Sequence, residues 1–140
     1  MQGTTIMHPL RKLREAGKAT PAQVAELLAE DAVFNSPILA RSIEGREPLS
    51  QIFAQSSQTR GDGAYTAEYK MDDRTTFLRW VGTMDGRKIE SLEVIIDDEN
   101  GLIKERTIAL RPFPAVKLFR DAMYESLKDK LPADVWDYAT

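Results

Sequence analysis

The hydrophobic period changes once along this 140-residue chain, and that change limits the folds open to it. In the first third apolar residues recur at helical spacing. Ile6, Leu10 and Leu13 share one face and Gly17 fits a stop. Thr20 and Pro21 read as an N-cap hydroxyl followed by a residue suited to the first helical position, and Val24, Leu27 and Leu28 give the second helix its stripe. Ala32-Val-Phe34 reads as a short strand broken by Asn35-Ser-Pro37. Gly45 lets the chain turn, and Pro48 opens a third helix that points Leu49, Ile52 and Phe53 inward. From Tyr65 onward the period falls to two. Tyr65–Met71 alternates and Asp72-Asp73 turns it. Thr75–Met84, Lys88–Asp97 and Leu102–Leu110 follow as strands, separated by Asp85-Gly86 and Asp98-Glu-Asn-Gly101. Pro112 and Pro114 stop the sheet, and Val116, Leu118, Phe119, Ala122, Met123 and Leu127 mark a last helix. Helices first and a four-stranded meander afterwards define an α+β chain.

Composition removes whole classes of function. A net charge of −3 without a basic cluster argues against nucleic acid as a partner. With no cysteine and a single histidine, His8, neither a disulfide nor a thiolate or multi-histidine metal site is expected, and no cofactor is implied. No apolar run is long enough for a membrane span, and Met1–His8 lacks the pattern of a signal peptide, so a cytoplasmic protein is the expectation.

The run Leu28-Ala-Glu-Asp-Ala-Val-Phe-Asn-Ser-Pro37, then Ile43-Glu-Gly-Arg-Glu47, resembles the opening of nuclear transport factor 2-like domains of the SnoaL-like and ketosteroid isomerase-like kind. The hairpin Asp98-Glu-Asn-Gly101-Leu-Ile103 fits the same pattern, and the order of elements matches over roughly residues 8–111. The resemblance implies one domain over residues 1–140, with 112–140 as a C-terminal helical extension. It also implies a cone: a strongly curved antiparallel sheet with the N-terminal helices packed over its concave face, enclosing a pocket. Members of this fold include isomerases, cyclases, dehydratases and non-catalytic proteins, so fold alone does not fix function.

Side chains two apart on a strand share a face, and comparison with ketosteroid isomerase implies which face looks inward. That phase turns Leu78, Trp80 and Met84 into the cone from one strand, and Ser91, Glu93 and Ile95 from the next. Arg106, Ile108 and Leu110 follow from the last. Phe34, Ser36, Ile52 and Phe53 complete a mostly apolar wall in which Glu93 and Arg106 are the conspicuous charges. Glu93 stands where the isomerase places a protonated acid that donates to a developing enolate; the competing role is an ion pair with Arg106. Ser36 occupies the slot of the isomerase's aspartate base, and Arg11-Lys-Leu-Arg14 offers no counterpart to its helix-borne tyrosine. Isomerisation by that route is therefore not expected. Asn35 and Ser36 read as turn residues, Asp31 as a brace for the turn after the second helix, and His8 as a helix cap or a solvent-facing side chain. Tyr65, Tyr69 and Trp80 read as core.

Three functions stay open: binding of a small apolar molecule in the cone, a lyase, isomerase or cyclase using Glu93 and Arg106, and a non-catalytic protein-interaction domain. Leu92, Val94 and Ile96 point to the opposite face, an apolar row to be covered either by the last helix, through Val116, Phe119 and Met123, or by a second copy. The resemblance implies the second, a two-fold homodimer.

Overall fold

The computed structural model describes residues 7–139, so Ile6 lies outside the described residues. Helix α1 (Pro9–Glu15) starts at His8, whose side chain accepts a hydrogen bond from the Leu10 amide. Helix α2 (Pro21–Ala25) has a reciprocal cap: the Thr20 hydroxyl accepts from the Gln23 amide, and the Gln23 side chain accepts from the Thr20 amide.

That second helix is shorter than its apolar spacing predicts, because Leu28 opens strand β1 (Leu28–Asn35). The competing force is the sheet. The Ile103 amide donates to the Leu27 carbonyl at 2.8 Å, and Arg46 Nε to the Leu28 carbonyl at 3.1 Å. Another helical turn would forfeit both bonds. Asp31 accordingly sits exposed on β1 and not in a turn after α2, which corrects the bracing role expected for it.

Strand β2 (Ile43–Glu44) pairs with β1 and leads into α3 (Arg46–Thr59). The meander then runs through β3 (Gly63–Asp72), β4 (Thr75–Met84), β5 (Arg87–Asp97) and β6 (Ile103–Arg111). At the β4–β5 hairpin Asp85 (φ 51°) and Gly86 (φ 79°) are both left-handed, the turn whose twist matches that of the strands it joins. Sheet order is β2-β1-β6-β5-β4-β3, and β1 runs parallel to β6. The sheet is therefore mixed, not antiparallel throughout. Register shifts between Tyr65 and Ala67 and between Lys70 and Asp72 mark bulges, which bend a strand.

From α3, Leu49, Ile52 and Phe53 pack onto the sheet, and the Phe53 ring meets Phe34 edge to face at 4.8 Å. Helix α4 (Phe113–Leu127) lies on the same side, burying Phe119, Met123 and Leu127. Each such side chain contributes roughly 1.5–3 kcal/mol. A 3-10 turn (Ala133–Trp136) follows, tied back to the loop after β1. The Ala40 amide donates to the Val135 carbonyl at 2.7 Å, and Arg41 grips both carboxylate oxygens of Asp134. The C-terminal segment thus packs over the concave face and leaves the outer face uncovered.

Candidate functional site

Strand pairing arranges the inward side chains in rows. Tyr65, Trp80, Ser91 and Leu110 are in register across β3, β4, β5 and β6; Leu78, Glu93 and Ile108 form the next row; Ile95, Arg106 and Phe34 form the third. Leu78, Trp80, Met84, Ser91, Glu93, Ile95 and Arg106 are buried, and Ile108 and Leu110 are half-buried.

Glu93 and Arg106 meet diagonally between neighbouring strands. Arg106 Nε donates to Oε1 at 3.2 Å and Nη2 to Oε2 at 2.8 Å, with both side chains at most 2% exposed. The guanidinium also lies over the rings of Phe53 and Phe34, at 4.6 and 5.5 Å. Both oxygens of Glu93 are occupied as acceptors, so this geometry does not aim a carboxyl proton at a ligand.

The apolar end of the cone is nearly full. Phe34, Ser36, Ile52 and Phe53 border it as expected, but Phe119, Met123, Leu127 and Trp136 enter from the C-terminal segment, leaving about 20 Å³. That is room for about one water molecule. Ser36 Oγ accepts from the Ile38 amide at 3.3 Å, and Asn35 bonds Glu105 and Thr107, so both serve the local turn. His8 is buried, not solvent-facing: Nδ1 caps α1 while Nε2 lies 3.0 and 3.1 Å from the two oxygens of Asp97.

The open space lies at the cone's mouth. A cleft of about 680 Å³ runs between α1, the end of α3 and the β3–β4 edge, with Arg14, Lys18, Arg60, Tyr65 and Trp80 among its walls. Four of these, all but Trp80, were missed as site residues. Arg60 is 7% exposed and stacks on the Trp80 indole at 4.2 Å. The indole can lie there because Gly63 and Gly82 sit beneath it; a Cβ on either would come within 2.2 Å of the ring. Arg60 also borders the small inner cavity, so it stands between mouth and cone.

Polar atoms in this region lack partners. Nε, Nη1 and Nη2 of Arg60, Nη1 of Arg14, the Tyr65 hydroxyl and Ser91 Oγ are buried without a hydrogen bond. Buried polar groups are paired in the great majority of cases, so such a cluster requires a reason. Burial pulls the Arg14 guanidinium below its ordinary pKa and pushes the Tyr65 phenol above its own. Each also feels the charges of Glu93 and Arg106. A sequence signal for Arg60 existed only in hindsight: an arginine at a helix end followed by Gly61-Asp-Gly63, a backbone small enough to let an aromatic ring fold over it.

Among the described residues no group of three His, Asp or Glu side chains is placed to hold a metal ion, and no helix is long and apolar enough to cross a membrane. No family model matches the chain, and no curated protein matches it. Solved structures do. An uncharacterised bacterial protein with a cystatin-like fold from Silicibacter pomeroyi is 24% identical, with a TM-score of 0.79 over 89% of each chain. A steroid delta-isomerase from Pseudomonas aeruginosa is 24% identical, with a TM-score of 0.72 over 78% of this chain and 80% of that one. A nuclear transport factor 2-like protein of unknown function from Cytophaga hutchinsonii is 16% identical, with a TM-score of 0.57 over 82% and 99%. These likenesses establish the fold, which is the cystatin-like, nuclear transport factor 2-like α+β cone.

Proposed function

We propose that this chain is a small-molecule binding protein whose ligand seats in the mouth of the cone, against Trp80 and Tyr65. One observation carries the reading: the buried, unpartnered polar atoms of Arg14, Arg60 and Tyr65 gather around one cleft of about 680 Å³, a volume typical of ligand sites. A ligand supplying the missing acceptors would satisfy groups that otherwise cost stability in every molecule. An apolar molecule in the cone itself is compatible with the lining but requires α4 to withdraw, since Phe119 and Met123 occupy that volume.

Catalysis through Glu93 and Arg106 is the less supported alternative. The acid is bound on both oxygens, and Ser36, in the slot of the isomerase base, is engaged with the Ile38 amide. We expect no isomerisation of a β,γ-unsaturated ketosteroid above a buffer blank; turnover that disappears in Ser36→Ala would reverse this. Binding is tested by titrating a fragment library into isotopically labelled protein and following amide resonances. Shifts concentrated on Arg60, Gly63, Tyr65 and Trp80 are expected. Fragments that cluster instead on Leu92, Val94 and Ile96 would move the site to the outer face.

A further inference from the structure

We infer that the mouth cleft selects an organic acid carrying a single negative charge, its carboxylate bound by Arg60 with Arg14 and Tyr65 as further donors. This rests on reading the cleft as the ligand site and adds the chemistry of the ligand.

Most of the unpartnered atoms are guanidinium nitrogens, joined by the hydroxyls of Tyr65 and Ser91. Arginine nitrogens can only donate, and Arg60 offers three of them, all buried. The Tyr65 hydroxyl and Arg14 Nη1 extend the set within the same cleft. Of the carboxylates nearby, Glu93 is held on both oxygens by Arg106 and Glu15 accepts from Arg11 at 3.0 Å, while Asp62 stands exposed to solvent. The site therefore presents donors in need of acceptors, which a planar carboxylate supplies in the geometry that a guanidinium fork fits.

Charge sets the valence. The cleft is walled by three cationic side chains, Arg14, Lys18 and Arg60, and two acidic ones, Glu15 and Asp62, a surplus of one positive charge. That balance suits a carboxylate better than a dianionic phosphate ester. The body of the ligand meets the edge of an indole whose faces are covered by Arg60 and by Gly63 and Gly82. Trp80 forms part of the wall, and the side-chain-free backbone of Gly63 stands beside it. An uncharged ligand would leave Arg60 a buried, unneutralised cation, the arrangement that proteins avoid most strongly.

Benzoate and its neutral isostere benzamide test this, each titrated by amide resonance shifts into wild type, Arg60→Met and Tyr65→Phe. Benzoate should move the Tyr65 and Trp80 amides and bind at least about tenfold tighter than benzamide, as a charged hydrogen bond implies. Arg60→Met should abolish that preference by weakening benzoate far more than benzamide, and Tyr65→Phe, nearly isosteric, should weaken benzoate by roughly tenfold. Ligand-free Arg60→Met should also melt higher than wild type, because the variant no longer buries an unpaired charge. Benzamide binding the cleft as tightly as benzoate would overturn the acid and leave the ligand site standing. Cleft amides that respond to neither compound at millimolar concentration would remove the ligand site itself. Inorganic phosphate competing better than benzoate would replace the carboxylate with a phosphate.

Discussion

The Glu93–Arg106 pair shows how far alternation can reach at the level of single residues once a resemblance supplies the inward phase. Strand phase put both side chains on the inner face, and they meet there at 2.8 Å with both nearly inaccessible. Breaking such a pair from one side strands a charge, so Glu93→Gln should cost about 3–5 kcal/mol, measured as a lower urea midpoint. Replacing both, as Glu93→Leu with Arg106→Met, should recover most of that loss. A double variant as unstable as the single one would show that the pair is not where the energy lies. Arg14 and Arg60 could not be read the same way. An arginine on a helix is normally solvated, and its burial here depends on where α1 and the end of α3 land against β3 and β4. Tyr65 was read as core, and it is half-buried at the cleft with its hydroxyl unpartnered. Burial holds that phenol above the usual 10.0. The neutral form is thus the one favoured in the folded protein, and phenolate should appear only at higher pH. The difference in ultraviolet titration between wild type and Tyr65→Phe should therefore be centred above 10.0; a difference curve centred at or below that value would contradict it.

Among the elements, strands β4, β5 and β6 and helix α4 were legible nearly to their ends, and α3 near its start. Each carries a clean period bounded by a turn signal. What failed was any feature decided by a distant partner. Leu27 and Leu28 continue the spacing of α2, yet the Ile103 amide takes the Leu27 carbonyl, and the chain enters a strand that runs parallel to β6. Helix α4 posed the same difficulty in another form. Its stripe of Phe119, Met123 and Leu127 was plain, but a stripe does not say which face of a sheet it will cover. It covers the inner one, so its side chains act as the filling of the cone. Met123, 1% exposed, should be costly to truncate: Met123→Ala is expected to lose about 2–5 kcal/mol in thermal or urea unfolding. The space it vacates would adjoin the existing cavity of about 20 Å³ and be lined by Phe34, Phe53 and Phe119. Benzene should then raise the melting temperature of the variant and leave wild type unmoved, as apolar ligands do for dry engineered cavities. No response in either protein would mean that α4 shifts to close the gap.

Because α4 lies over the inner face, the outer face of the whole molecule is left with its apolar residues in view. Leu92 is 38% exposed, Val94 and Ile96 are half-buried, and on β3, beyond β4, Tyr69 (65%) and Met71 (64%) stand in solvent. Tyr69 stacks on Phe77 with ring centres 6.3 Å apart, and Phe77 pairs with Val94 across β4 and β5, so the patch is continuous. We propose that a second copy covers it. Light scattering at micromolar concentration should give the mass of two chains for wild type and of one for Val94→Asp. A wild-type mass of one chain would end the proposal, and a dimer that survives the substitution would place its interface elsewhere. The chain's two tryptophans, meanwhile, occupy opposite duties. Trp80 lies under a guanidinium at the mouth, and Trp136 stands edge-on to Tyr124 where the tail closes the cone. The molecule therefore carries two intrinsic fluorophores, one for each question about it. With Trp136→Phe, emission follows occupancy of the cleft; with Trp80→Phe, it follows the tail leaving its seat. Recorded on the same titration, the two signals would tell whether filling the mouth and releasing the tail are one event or two.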